Sequence, residues 1–296
     1  MQDSGSRPAG APAAPRDAAT VVLLRDGARG LEVFLVKRAR SMDFMAGAHV
    51  FPGGRLDKTD ASPTSLGLLT AEVATLHERL GEPLAPARAA GLFVAAIRET
   101  FEEAGLLLGR LAPGWDMAGA RRAVAEGALF STLVERLDAR ALVPWVRWVT
   151  PEVSPKRFDA RFFLVRAPEG QEAEVDGREA TEGAWLTPRE ALARWEKGEM
   201  QLPPATAKSI DALGTFATVK DALEAAARRP PPVAMPLVWS EGGRAYISLP
   251  GDPVHSQPDL LGGSIRRIQL ETGRYRAVPA APRLQKRVAQ PPRRAG

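Results

Sequence analysis

Between Phe93 and Leu108 the chain sorts its residues onto opposite sides of one helix, and this limits the possible folds more than any other stretch. At about 100° per residue, Phe93, Val94, Ile97, Phe101 and Ala104 share one arc, while Glu99, Glu102 and Glu103 share another on the far side. Other elements must cover the apolar arc, so the segment belongs to a layered domain. The acidic arc carries a cost: Glu99 lies i,i+4 from Glu103 and i,i+3 from Glu102, and each like-charge pair destabilises an isolated helix by about 0.2–0.5 kcal/mol. A cation would reverse that cost. Oxygen ligands from one helical face suit a hard divalent ion such as Mg2+ or Mn2+, and a solvated acidic stripe is the other reading of the same residues.

Composition removes most competing chemistries. The 296 residues include no cysteine, which excludes disulfides, thiolate metal centres and cysteine nucleophiles. His49, His77 and His255 are far apart in sequence, leaving little material for a histidine metal centre or a Ser-His-Asp triad. Carboxylates are left to carry the chemistry. Apolar residues make up 45% of the chain, there is no run of eighteen of them, and the N-terminus has no apolar signal core. The expectation is a soluble, cytoplasmic globular protein with no membrane partner. The net charge of +5 comes from Arg283, Lys286, Arg287, Arg293 and Arg294 in the final segment, so the body is neutral and nucleic acid is not an expected partner.

The pattern along the chain predicts α+β architecture, a mixed sheet sandwiched between helices. After a disordered leader over 1–17, "ATVVLLRD" and "LEVFLVKR" read as strands joined by a "GARG" hairpin turn, and "HVFPGG" as a short strand ending in a turn. "RLDKTDASPTS" reads as loop, residues 70–80 and 86–108 as helices, "PGWDMAG" as loop, and 120–137 as helical. "LVPWVRWVTP", "RFDARFFLVRA" and "EGAWLT" return to strand character. The last runs into a helix at "PREALARWEKG" with Thr187 as its N-cap. Residues 202–229 read as helical, and prolines 230–232 mark a boundary before a small β-rich appendage over 233–280 and a basic disordered tail over 281–296.

Gly54, Arg98, Glu99, Glu102, Glu103, Gly105 and Leu106 together resemble the Nudix box, G-x5-E-x7-R-E-U-x-E-E-x-G-U, where U is apolar. Five residues after Gly54 comes Asp60, where the box has Glu. Thirty-seven residues rather than seven then precede Arg98, so an insertion of about 61–91 splits the box. Upstream, "FLVKRARSMDFMAGAHVFPGG" is similar to a signature of Nudix enzymes that cleave coenzyme A, with Arg38, Ala39, Gly47 and Phe51 to Gly54 in register. Phe34, Val36 and Asp43 depart from it, and Asp43 reverses a charge. With "WVTPEVSPKRFDARFFLV" and "LPPAT", these features resemble the coenzyme A diphosphatase branch known as Nudix-type motif 19 from about Ala19 to Leu213, and the Nudix domain is expected over residues 18–229.

The resemblance implies metal-dependent hydrolysis of a pyrophosphate in a nucleoside diphosphate linked to another moiety. Coenzyme A or acyl-coenzyme A comes first as substrate; another dinucleotide, a nucleotide sugar and a non-catalytic nucleotide-binding module are the alternatives. It also implies that Glu99, Glu102 and Glu103 bind Mg2+ or Mn2+ and that Gly54 lends a carbonyl. Arg98 orients the acids. A further carboxylate comes from Glu179 or Glu182, with Glu182 preferred as ligand or base because it sits just before the strand residue Trp185. Arg38, Gly47, Phe51, Gly53, Gly54 and Arg157 are candidate substrate contacts. The oligomeric state is left open, a homodimer included.

Overall fold

Val21, Val22, Leu23 and Leu24 are all fully buried in the first strand, β1 (Arg16–Gly27), so neither face of this strand meets water. Successive side chains point to opposite faces, and a strand apolar at both phases has to be sandwiched. The computed structural model describes residues 13–41, 45–175, 177–271 and 273–280. The elements after β1 are β2 (Gly30–Arg38), β3 (His49–Val50), β4 (Gly53–Arg55), α1 (Pro63–Gly67), α2 (Val73–Leu80), α3 (Pro86–Ala104), β5 (Gly109–Leu111), α4 (Met117–Ala125), α5 (Phe130–Leu133), β6 (Val134–Leu137), β7 (Val143–Val149), β8 (Phe158–Arg166) and β9 (Ala180–Leu186). They continue with α6 (Pro188–Lys197), α7 (Pro204–Leu213), α8 (Val219–Ala227), β10 (Val233–Ala234), β11 (Leu237–Glu241), β12 (Arg244–Ser248), β13 (Arg267–Glu271) and β14 (Arg274–Val278).

The main sheet runs β10-β7-β8-β1-β2-β3, with β4 also paired to β1 and β9 to β2. Pairing is antiparallel except for β1 with β8 and β10 with β7, so the sheet is mixed, as expected. One face, carrying Ala19, Val21, Leu23, Phe34 and Phe163, packs on α3 and on the insertion residues Leu76 and Leu80. The other, carrying Val22, Leu24, Leu35, Phe162 and Leu164, packs on α6, α7, α8 and the C-terminal strands. Helix α3 begins at Pro86, where its missing N–H costs nothing, and ends where Gly105 adopts φ 67 and donates its N–H to the Phe101 carbonyl. Thr187 does cap α6, in a reciprocal box with Glu190.

The insertion belongs to the helical layer. Glu82, in the turn between α2 and α3, accepts hydrogen bonds from Arg161 at 3.0 and 2.5 Å, and Arg161 also donates to Asp17 at 2.6 Å. This buried network fastens the insertion to β8 and β1.

Several sequence expectations need correction. Strand β1 starts at Arg16, so the leader is shorter than 1–17; residues 1–12, Asp43 and the tail from 281 lie outside the described residues. Ser62 caps the short helix α1 within the segment read as loop, and Asp116 caps α4 within "PGWDMAG". Residues 120–137 are not helical throughout: α4 and α5 cover part of them, and 134–137 form β6. Gly127, at φ 98, ends the helical run, and β6 pairs with β5, a partnership no local propensity reveals. Residues 202–229 likewise divide into α7 and α8. Past the prolines, β10 continues the main sheet beside β7.

Because Leu76 is fully buried within the α3 core, Leu76→Ala should cost about 2–5 kcal/mol of stability, read as a lower midpoint in urea denaturation. A change below about 0.5 kcal/mol would show the insertion to be a loose appendage.

Candidate active site

Glycine at positions 53 and 54 lets the first part of the box reach α3. A Cβ on Gly53 would overlap the Ala19 carbonyl oxygen, and one on Gly54 would overlap the Glu99 carboxylate. The turn therefore lies directly against the acidic side of the helix. The Gly53 N–H donates to Glu103 Oε2 at 3.0 Å.

Arg98 joins the two parts of the split box. Its Nε and Nη2 donate to the two oxygens of Asp60, each at 2.9 Å, in a bidentate pair. Nη2 also donates to the Arg55 carbonyl at 3.0 Å, and Nη1 to Glu99 at 2.8 Å and Glu102 at 3.3 Å. Asp60 is buried, and its place one methylene short of the box glutamate does not prevent the pairing. Burial alone would favour loss of the guanidinium proton. The Asp60 hydrogen bonds and the charges of Glu99, Asp60 and Glu102 outweigh it and keep Arg98 more firmly protonated than usual.

The glutamates respond in the opposite sense. Burial, against the pull of Arg98, raises Glu102 to about 7. Burial and the nearby Glu99 charge raise Glu103 to about 8. Burial raises Glu99 too, with Arg98 opposing. Among the described residues no three carboxylate or imidazole side chains converge on one point, because Glu99 and Glu102 turn to Arg98 and Glu103 to Gly53. The donor chemistry nevertheless fits a hard divalent ion: several carboxylates are crowded in a buried place, with too little positive charge to keep them all ionised. Glu99, Glu102 and Glu103 would hold the ion after turning from their present hydrogen bonds.

These residues form one wall of a cleft of about 690 Å3. Arg38, Phe51, Gly53 and Gly54 line it, as the sequence suggested. Gly47 adopts φ 73 in the turn leading to β3 and donates its N–H to the Arg38 carbonyl, outside the lining. Arg157 is elsewhere: it is buried and donates to the backbone carbonyls of Thr150 and Ala13, a structural clasp. Glu182 does not face the cleft. It pairs across the sheet with Lys37 in a 2.7 Å salt bridge, its side chain is 64% exposed, and that hydrogen bond lowers its pKa. Glu179 lines the cleft instead and acts electrostatically on both Glu99 and Glu103. The opposite wall includes Thr150 and Phe158, from a stretch the sequence also pointed to, Pro203 and Thr206 of "LPPAT", and Tyr275 beyond the prolines, which no sequence signal singled out.

A sheet between helical layers, with an arginine-tethered glutamate helix packed against a glycine turn, defines a Nudix hydrolase. Comparison agrees. The family model for the NUDT19 Nudix domain matches residues 74–213. Acyl-coenzyme A diphosphatase NUDT19 of Gallus gallus is 31% identical, over 83% of this chain and 82% of its own. The Homo sapiens protein of that name is 30% identical, over 66% and 63% respectively. The crystal structure of a Nudix hydrolase from Alicyclobacillus acidocaldarius superposes with a TM-score of 0.57 at 31% identity, covering 71% of this chain and 96% of that one. The chain belongs to the NUDT19 branch of the Nudix hydrolases.

Two measurements follow from the geometry. Asp60→Ala leaves a buried guanidinium without its bidentate partner and should lower stability by about 3–5 kcal/mol in chemical denaturation. In the ion-free protein the raised Glu102 and Glu103 contribute stability that is fully present below their ordinary pKa of 4.5 and is lost as pH climbs through about 7 and then 8. Binding of Mn2+ at pH 6.5 should therefore release protons, seen by calorimetry in two buffers of different ionisation enthalpy, and its affinity should rise up to about pH 8.5. Zero proton release at pH 6.5 would mean the glutamates are already ionised.

Proposed function

We propose that this Nudix hydrolase cleaves the pyrophosphate of coenzyme A or an acyl-coenzyme A with Mg2+ or Mn2+ as cofactor. The products are adenosine 3',5'-bisphosphate and 4'-phosphopantetheine or its acyl form. The observation that carries this reading is the gathering of Glu99, Glu102, Glu103 and Glu179 on one wall of a cleft large enough for a nucleotide. The similarity to the chicken acyl-coenzyme A diphosphatase supports the choice of substrate.

A bound divalent ion would offset the charge of the pyrophosphate and lower the pKa of a water molecule. The protein's own residues do the rest. Glu99, Glu102 and Glu103 would hold the ion, and Gly54 would lend its backbone carbonyl. Arg98 holds the helix and the glycine turn in fixed relation. Arg38, whose charge reaches Glu103, presents a cation to the substrate phosphates from the cleft wall. Glu179 takes the part of general base. It shares the cleft with the cluster, whereas Glu182 is committed to Lys37 at the surface.

Glu103→Gln should lower kcat by about a thousandfold and leave the folded midpoint unchanged or higher, since the amide removes a carboxylate that burial disfavours. Glu179→Gln should cost at least about tenfold and Glu182→Gln less than about twofold. The substrate choice is tested by assaying coenzyme A, acyl-coenzyme A, NADH, ADP-ribose and nucleotide sugars with Mg2+ and Mn2+. Preferential cleavage of a nucleotide sugar would overturn it.

A further inference from the structure

The cleft has two chemically distinct walls. Acidic and basic side chains line the side of α3 and the glycine turn; the facing side includes Pro236, Val238, Ile247 and Tyr275, all from beyond the prolines. The C-terminal sheet, in the order β11-β12-β13-β14, sets Val238 opposite Ile247, Ile247 opposite Ile268, and Ile268 opposite Ala277. These four side chains share one face, and Tyr275 joins it two residues from Ala277 along β14. Ile268 is sunk in the core beneath. Val238 stands out from it, 37% exposed despite its apolar side chain.

The sheet is fixed where it stands. Lys208 of α7 is buried and donates to the Gly262 carbonyl at 2.6 Å, and the Asp211 carboxylate accepts from the Ile265 N–H at 2.7 Å. These bonds tie the loop before β13 to α7, and β12 and β11 pair outward from β13, so Val238 and Ile247 stand on a sheet anchored beside the cleft. A second cavity of about 320 Å3 adjoins it: Met45, Pro203 and Tyr275 line both, and Ala46, Ala48 and Leu202 continue the apolar lining.

We propose that this C-terminal wall is the seat of an aliphatic chain carried by the substrate, and that Pro236, Val238, Ile247 and Tyr275 set the preference for acylated over free coenzyme A. The proposal rests on the coenzyme A reading above and extends it. The wall offers no charged group, and the Tyr275 hydroxyl is the one polar side-chain group among the four. A sugar or second nucleotide set there would surrender hydrogen bonds to water without replacement, whereas each methylene of an alkyl chain gains free energy by leaving water. Convex aliphatic side chains also suit a flexible chain better than the flat face of a purine. The second apolar cavity, reached past Tyr275, provides room for a longer chain.

The test compares wild-type protein with Val238→Asp, whose site is exposed enough to accept the change without unfolding, and with Val238→Leu as a conservative control. kcat/KM is measured for free, acetyl-, octanoyl- and palmitoyl-coenzyme A. In the wild type kcat/KM should rise with chain length. In Val238→Asp the palmitoyl-to-free ratio should fall at least tenfold, mostly through KM, and Val238→Leu should restore the rise. If the wild type cleaves all four substrates and Val238→Asp leaves the ratio unchanged, or lowers all four alike as a purine site would, the wall proposal is wrong and the coenzyme A reading stands. If the wild type cleaves none of them, both fall together.

Discussion

The site depends on one buried guanidinium. The two parts of the box are separated by a helical insertion, and Arg98 rejoins them through space: Asp60 and the Arg55 carbonyl on the loop side, Glu99 and Glu102 on the helix side. All its donors act in a fixed fork, so the angle between loop and helix is set as well as their distance. Yet Arg98 also leaves a deficit. Asp57, Glu99, Glu102, Glu103 and Glu179 outnumber the cations Arg38, Arg55 and Arg98 that line the same cleft, and burial, together with the crowding, raises the pKa values of Glu102 and Glu103. A place that is crowded, oxygen-rich and short of positive charge is what a divalent ion and a phosphoanhydride complete together.

What could be read from the sequence was what local periodicity encodes. The acidic and apolar arcs of α3, the β1-β2 hairpin and the Thr187 cap all rest on residues within a turn or two of one another, and all are found. Errors arose where distant partners decide. Residues 134–137 have helix-compatible side chains, but β5 claims them as a strand. The preference for Glu182 over Glu179 met a pairing that neither strand reveals alone: Glu182 stands across from Lys37 in the β2-β9 ladder and ion-pairs with it at the surface. Just beyond that pair the register shifts between Lys37 and Arg38, and Glu179, which lines the cleft, lies past the irregularity. A bulge of this kind has no signature in one strand alone. Arg157 sits among candidate binding residues in the chain, but it spends its donors on backbone carbonyls.

The two large additions to the family core serve different ends. The insertion within the box buries Leu76 and Leu80 and anchors Glu82 on Arg161, but from Lys58 to Ile97 it contributes nothing to the cleft lining among the described residues. It thickens the layer behind α3. The C-terminal strands lie on the opposite side of the main sheet, share its core through Leu249, Ile265 and Ile268, and shape the cleft itself. The short strands of this appendage were visible in the sequence; their docking was not, because Lys208, Asp211 and their backbone partners are far apart along the chain.

This placement also bears on how the protein is made. β1 leaves the ribosome first, but its parallel neighbour β8 follows more than a hundred residues later, and the strands that cover the far face of the sheet come later still. At about 5–20 residues per second, Val22, Leu24 and Leu35 spend many seconds without their final cover. A nascent chain that has reached only the prolines at 230–232 already has its glutamate helix and α6 to α8 but lacks Leu249, Ile265 and Ile268, so during synthesis a chaperone would have most to shield on the part of this face that they cover.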